Sequence, residues 1–122
     1  EDSEAANKVV EPQKETTSFD EFQKMDIRVG TIIEAEKIKK AKKLLKLKVD
    51  TGIDQRTVVS GIAQFFEPEK LIGQQVSILV NLSPRKMLGI ESEGMILMAE
   101  NNKGELQFVA PQGGSDNGGV IA

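Results

Sequence analysis

IRVGTIIEAE, residues 27–36, alternates its side chains with period two, setting Ile27, Val29, Thr31, Ile33 and Ala35 on one face and Arg28, Ile32, Glu34 and Glu36 on the other. That is the pattern of a strand, with Gly30 permitting a bend. The lysine-rich run that follows reads two ways. Ile38, Ala41, Leu44 and Leu45 could line one side of a basic amphipathic helix, but Leu45, Leu47 and Val49 alternate with Lys46, Lys48 and Asp50, which predicts a loop and then a second strand. A glycine-containing turn at residues 51–54 leads into RTVVSG, residues 56–61, and a third strand.

Further along, EPEKLIG places Pro68 in a first helical turn and Gly73 where a helix stops, so one or two helical turns are expected there. QVSILVN, residues 75–81, reads as a buried strand. NLSPRKMLGIESEG reads as a long connection holding proline and glycine, and it leads to the apolar strand MILMAE, residues 95–100. Residues 102–104 form a hairpin turn into LQFVAP, and the glycine-rich GGSDNGGVIA at the end reads as mobile. Upstream, Ser18 and Glu21 have the spacing of a capping box opening a short helix over about 19–25, with Phe19 and Phe22 on one face. Three strands, a helix and two strands, in that order, define an all-β chain with the OB fold, a five-stranded Greek-key barrel with short helices.

Residues 1–17 are polar, acidic and without apolar period, and are expected to be a flexible acidic linker before a folded domain at 18–122. The chain opens on Glu1 without a methionine, which suggests an excised piece of something longer or a processed end. Cysteine, histidine, tryptophan and tyrosine are absent. Disulfides, Cys/His metal sites and imidazole catalysis are thereby excluded, and no cofactor is expected. No apolar run reaches membrane-spanning length and no signal pattern opens the chain, which fits a cytoplasmic protein with no membrane partner. The net charge of −3 is uneven: residues 1–22 carry seven acids and two bases, leaving +2 on the rest. Seven lysines fall within residues 37–48 with no acid among them, a cluster that attracts phosphates. A merely solvated basic surface is the alternative.

FDEFQKMDIRVGTI, KVDTG, RTVVSGI and NLSPRKMLGIESEGMILMA, in that order and at these separations, resemble the tRNA-binding domain at the carboxyl end of bacterial methionyl-tRNA synthetases, also found in free-standing structure-specific tRNA-binding proteins. The likeness spans about residues 19–111, and the RKM and SEGM wording is closer to the synthetase-attached members. It implies an OB barrel with a carboxyl-terminal extension that helps build a homodimer, tRNA bound by shape, and no chemistry in the domain itself. The catalytic domain of the synthetase is the implied neighbour in a full-length chain, where ATP-dependent methionine transfer would take place. Where many relatives carry Ala-Asp-Lys-Leu before the second strand, this chain reads Ala41, Lys42, Lys43, Leu44 and is more basic.

The candidate tRNA-binding residues begin with Arg85 and Lys86, bracketed by Pro84 and Gly89 in an apolar neighbourhood, followed by Lys42 and Lys43, then Arg56 and Arg28. Asn81, Ser92 and Met95 lie in the motif runs and are expected near the same barrel face, although Asn81 could equally hold a turn and Met95 could pack in the core. The five phenylalanines are committed to helices, turns and the last strand, so no stacking platform is evident and recognition of folded RNA by shape and backbone charge is the expectation. Two other function classes compete. A chaperone-like peptide-binding homodimer of the same family would use an apolar groove, and an architectural dimerisation module would meet RNA only incidentally. An enzyme is the weakest reading, since no acid and base pair can be named.

Overall fold

A computed structural model describes residues 10–122. Its elements are α1 (Phe19–Gln23), β1 (Ile27–Ile38), β2 (Ala41–Asp50), β3 (Gln55–Ser60), a 3-10 turn (Pro68–Lys70), β4 (Gln75–Leu79), β5 (Arg85–Met87), β6 (Ile90–Ser92), β7 (Met95–Ile96), β8 (Met98–Glu100), β9 (Leu106–Phe108) and β10 (Val120–Ile121). Residues 10–17 are exposed and outside any helix or strand. The rest of the expected linker, residues 1–9, lies outside the described residues.

The main sheet is antiparallel in the order β3-β2-β1-β4-β7. It closes on itself where the approach to β7 returns to β3: the Glu93 amide donates to the Thr57 carbonyl at 2.8 Å, and the Val59 amide donates to Ser92 Oγ at 2.9 Å. Five strands closing in this order form the Greek-key barrel expected from the element order. Ile32, Leu45, Leu47, Val49, Val58, Ile62, Val76 and Ile78 fill it, each at most 1% exposed. Between β3 and β4 the expected helix is a single 3-10 turn, with Pro68 at its start and Gly73 just past its end at φ +93°.

The amino-terminal helix forms as expected at its start, the Glu21 amide donating to Ser18 Oγ at 3.1 Å. Glu21 itself turns to Lys24 instead of completing the capping box, and the helix ends at Gln23. Phe19 and Phe22 stay 70% and 45% exposed, so the helix brings no apolar face to the barrel.

Four expectations change. First, the faces of β1 are reversed at its start. A side chain at Gly30 would meet Val49 Cγ1 at 2.8 Å and the Asp50 carbonyl at 3.1 Å, so Gly30 and the fully buried Ile32 face the interior. Gly30 is there for close approach rather than for a bend. The register shifts between Ile32 and Glu34, and this bulge returns Ala35 to the core side.

Second, the lysine run is strand from Ala41 onward, in a tight hairpin with Ile38 opposite Ala41. Between the pairs Lys37–Leu45 and Ile38–Ala41 the register slips, leaving Lys42, Lys43 and Leu44 without partners on β1.

Third, residues 81–94 are not a plain connection. They fold back as the β5–β6 hairpin, Arg85 opposite Ser92 and Met87 opposite Ile90, turning at Leu88 (φ +52°) and Gly89 (φ +78°). Positive φ at both turn residues is the geometry a two-residue hairpin prefers, and Leu88 is an unusual residue to adopt it.

Fourth, the glycine-rich end is docked. Val120 and Ile121 pair with Arg28 and Ile27, and Val29 exchanges backbone hydrogen bonds with Gly118 and Gly119 at 2.7 and 2.9 Å. Asn117 Oδ1 accepts from Thr31 Oγ1 at 2.7 Å. The edge of early β1 that β2, pairing only from Thr31 onward, leaves open is thereby filled. MILMAE also divides, because the Leu97 amide turns inward to the Ser77 carbonyl at 2.9 Å, and β8 leaves to pair with β9.

Candidate nucleic-acid interface

Because Leu45, Leu47 and Val49 point into the barrel, the alternation of β2 turns Lys46 and Lys48 outward. Lys46 stands opposite Val59, and Lys48 opposite Thr57 of β3. This outer face of β2 and β3 runs between two projections, the β1–β2 hairpin with its lysines and the β5–β6 hairpin with Arg85 and Lys86. Lys42, Lys43, Arg85 and Lys86 are all exposed, and none forms an ion pair with a described residue. Lys46 is the exception on this face, its Nζ lying 3.6 Å from Glu36 Oε2.

Where β3, the β5–β6 hairpin and β7 meet lies a groove of about 100 Å³ lined by Val59, Leu82, Ser83, Arg85, Met87 and Met95. Its lining contains no acid. Met95 is 45% exposed and forms part of the groove, outside the core. Arg85 turns into the groove whereas Lys86, the next residue of the same strand, does not. The two cations therefore serve different sides of the hairpin, and Lys86 has Glu91 as its cross-strand partner. A second depression lies on this same outer face and mixes Glu34 and Glu36 of β1 with Lys46 and Lys48 of β2, so acids and cations balance there and it is a poorer surface for phosphate than the groove.

The remaining expected site residues hold the barrel together. Arg56 Nε donates to Asp54 Oδ1 at 2.9 Å, and its Nη1 reaches the carbonyls of Val80 and Glu93, the latter at 3.4 Å, so one guanidinium links β3 to both ends of the 81–93 segment. That hydrogen bond from Arg56 is the main reason the Asp54 carboxyl is held below its ordinary value. Arg28 Nε donates to Asp26 Oδ1 at 2.8 Å, and Nη1 to the Gly118 carbonyl at 3.4 Å. The ion pair raises the guanidinium further above its already high value. Asn81 Oδ1 accepts from the Asp26 amide at 2.9 Å while its Nδ2 donates to the Lys24 carbonyl at 2.6 Å, fixing the exit of α1 against the end of β4. Ser92 is 5% exposed and serves as the acceptor that closes β3 onto the hairpin.

Lys46, Lys48, Val59, Leu82, Ser83 and Met87 belong to the outer face and its groove but were not among the sequence candidates. For Lys46 and Lys48 the signal was present in LKLKV. For Arg28 and Arg56 it was present too: Asp26-Ile27-Arg28 and Asp54-Gln55-Arg56 both place an acid two residues before an arginine, on one side of an extended chain.

An OB barrel whose outer face is flanked by two hairpins bearing exposed cations free of ion pairs with described residues, and whose groove carries no acid, is a nucleic-acid-binding barrel. Residues 27–119 match the family described as "Putative tRNA binding domain", and the chain belongs to that family. It is 58% identical over 117 residues to the methionine–tRNA ligase of Flavobacterium johnsoniae and 63% identical over 116 residues to that of Cytophaga hutchinsonii, covering 96% and 95% of this chain. The chain spans only 16% and 17% of the length of those two relatives. Among solved structures, the MetRS-related protein from Pyrococcus horikoshii superposes with a TM-score of 0.82 at 40% identity, covering 89% of this chain and all of that one. The chaperone CsaA from Bacillus anthracis superposes with a TM-score of 0.81 at 28% identity, over 88% of this chain and all of that one.

Proposed function

We propose that the chain is a non-catalytic module that holds tRNA for a methionine–tRNA ligase and raises that enzyme's affinity for tRNA. The observation that carries this reading is the pair of basic hairpins, Lys39 to Lys43 on one side and Arg85 and Lys86 on the other, flanking one open barrel face. Phosphate contacts from such cations supply affinity without reading sequence, which suits a domain that meets many tRNAs through a shared shape. Arg28, Arg56, Asn81 and Ser92 support the face by holding its edges, while Lys42, Lys43, Arg85, Lys86 and Met95 meet the RNA. A cytoplasmic chain fits action alongside a tRNA ligase.

The working unit is a homodimer. Phe19, Phe22, Met25 and Val120 are 45–70% exposed and gather near the start of β1, where β10 pairs with it. Apolar exposure of this kind on a small barrel is suited to burial against a second copy. The alternative is a peptide-binding chaperone, favoured by the likeness to CsaA and by the apolar lining at Leu82, Met87 and Met95. Titration of labelled tRNA at two salt concentrations tests the proposal: binding that weakens steeply with salt supports it, and no binding at low salt overturns it.

A further inference from the structure

We propose that the groove between β3, the β5–β6 hairpin and β7 receives one unpaired base of the bound tRNA, laid on Met87 and Met95 and covered by the Arg85 guanidinium. This rests on the tRNA-binding reading and adds to it a contact with a base, where charge alone would touch only the backbone.

The groove is an apolar patch inside a basic face. Val59, Leu82, Met87 and Met95 supply carbon and sulfur, and Arg85, Ser83 and Ser92 supply the polar side-chain atoms, the Ser92 hydroxyl already accepting from the Val59 amide. A purely electrostatic surface has no use for an exposed methionine at its centre, yet Met95 is 45% exposed and Leu82 40% exposed. At about 100 Å³ the groove is far below the roughly 300–1,000 Å³ of a site that encloses a free small molecule, so its occupant is a single flat group delivered by something larger.

Charge selects which flat group. The lining has one cation and no anion, and the unpaired Lys42 and Lys43 lie on the same barrel. A base hanging from a phosphate chain matches this combination, whereas an apolar peptide side chain leaves Arg85 without a partner. None of the five phenylalanines lines the groove. The planar guanidinium and polarizable thioethers take the place of an aromatic platform, since unstacked RNA bases also stack on arginine planes.

The fold makes the groove a defined place. Arg56 ties β3 to the carbonyls on either side of the hairpin, and Ser92 pins the hairpin to Val59, so the walls are fixed to the barrel. Gly94 sits beneath with φ +146°, where a side chain would strike the Leu79 carbonyl at 2.9 Å, so the chain passes close to β4 and brings Met95 to the edge of the groove.

The chain has four methionines, which makes the experiment direct. With 13C-labelled methionine methyls, the full chain is titrated with unfractionated tRNA while binding is followed separately by fluorescence of labelled tRNA. A base lying on the groove moves the Met87 and Met95 methyls upfield by its ring current. Met25, beyond α1, and Met98, packed against the core, should stay in place. Arg85→Lys keeps the charge and loses the plane, and should weaken tRNA binding by about 3–10-fold with an unchanged salt slope. Met95→Ala should weaken it by a similar factor while Ile72→Ala, at an exposed apolar residue outside the groove, does not. Binding without the two upfield shifts, or a full-strength Arg85→Lys variant, overturns base insertion and leaves backbone binding intact. No tRNA binding at all overturns both. Shifts produced by an unfolded polypeptide but not by tRNA assign the groove to peptide and overturn the proposal.

Discussion

Lys42 and Lys43 lie where β2 has slipped out of register with β1, exposed and unpaired with any described acid. Replacing both by alanine should change how salt acts on tRNA binding more than it changes the fold. Each phosphate neutralised contributes about 0.7–0.9 to the slope of log K against log salt, so loss of two contacts flattens the slope by about 1.4–1.8. Between 50 and 200 mM salt, a change of about 0.6 log unit, the gap between wild type and variant should narrow by about tenfold. Arg85→Ala removes one contact, flattening the slope by about 0.7–0.9 and narrowing its gap by about threefold. Lys86→Ala should do less, because Lys86 faces away from the groove and stands opposite Glu91. The assay is binding of two unrelated tRNAs across a salt series, with melting curves to confirm folding. An unchanged slope for the Lys42 and Lys43 variant would remove that hairpin from the interface. Equal effects of Arg85 and Lys86 would refute the opposed orientation inferred from the strand.

Ser92→Ala leaves the buried Val59 amide without its acceptor and should cost about 1–3 kcal/mol in urea denaturation. A loss below about 0.5 kcal/mol would mean that the barrel closes without that bond. Asp54 has its carboxyl depressed below 3.8 by Arg56, so its stabilisation is complete above the unfolded value and fades as pH falls through the lower folded value. Asp54→Asn should therefore be less stable than wild type at neutral pH, the difference shrinking below about pH 4; a constant difference across pH would deny the ion pair its role. Light scattering should give twice the chain mass, and Phe19→Asp with Phe22→Asp should give a single chain mass with the barrel still folded. A wild-type monomer at high micromolar concentration contradicts the dimer.

The parts of the fold legible in the sequence are those where one strong periodicity faces one environment. LKLKV and VSILV are such segments, and the hairpin turn at residues 102–104 announced itself by asparagine and glycine. IRVGTIIEAE was legible as a strand but not in its orientation. It carries apolar side chains on both faces, Ile27 and Val29 on one and Ile32 on the other, and the bulge after Ile32 changes the phase. The β5–β6 hairpin was hidden because its turn uses Leu88, which carries no turn signal. The glycine-rich end was hidden because the atoms it contributes to its anchoring are mostly backbone ones, at Ser115, Gly118 and Gly119, with the Asn117 side chain the exception. Arg85 and Lys86 were picked out by the proline and glycine that bracket them and Lys42 and Lys43 by charge density, and neither signal shows that Arg56 is already engaged. What separates Arg85 from Arg56 is the acid two residues before Arg56 and the carbonyls that converge on its guanidinium.

The likeness to a chaperone and the likeness to a tRNA ligase meet in one decisive competition. Labelled tRNA is bound to the chain at low salt and challenged with unlabelled bulk tRNA or with a chemically denatured polypeptide of similar net charge. Displacement by tRNA alone, weakening steeply as salt rises, is what two basic hairpins flanking the barrel face predict. Displacement by the polypeptide at comparable concentration, with little dependence on salt, would contradict the account and make the groove a peptide site.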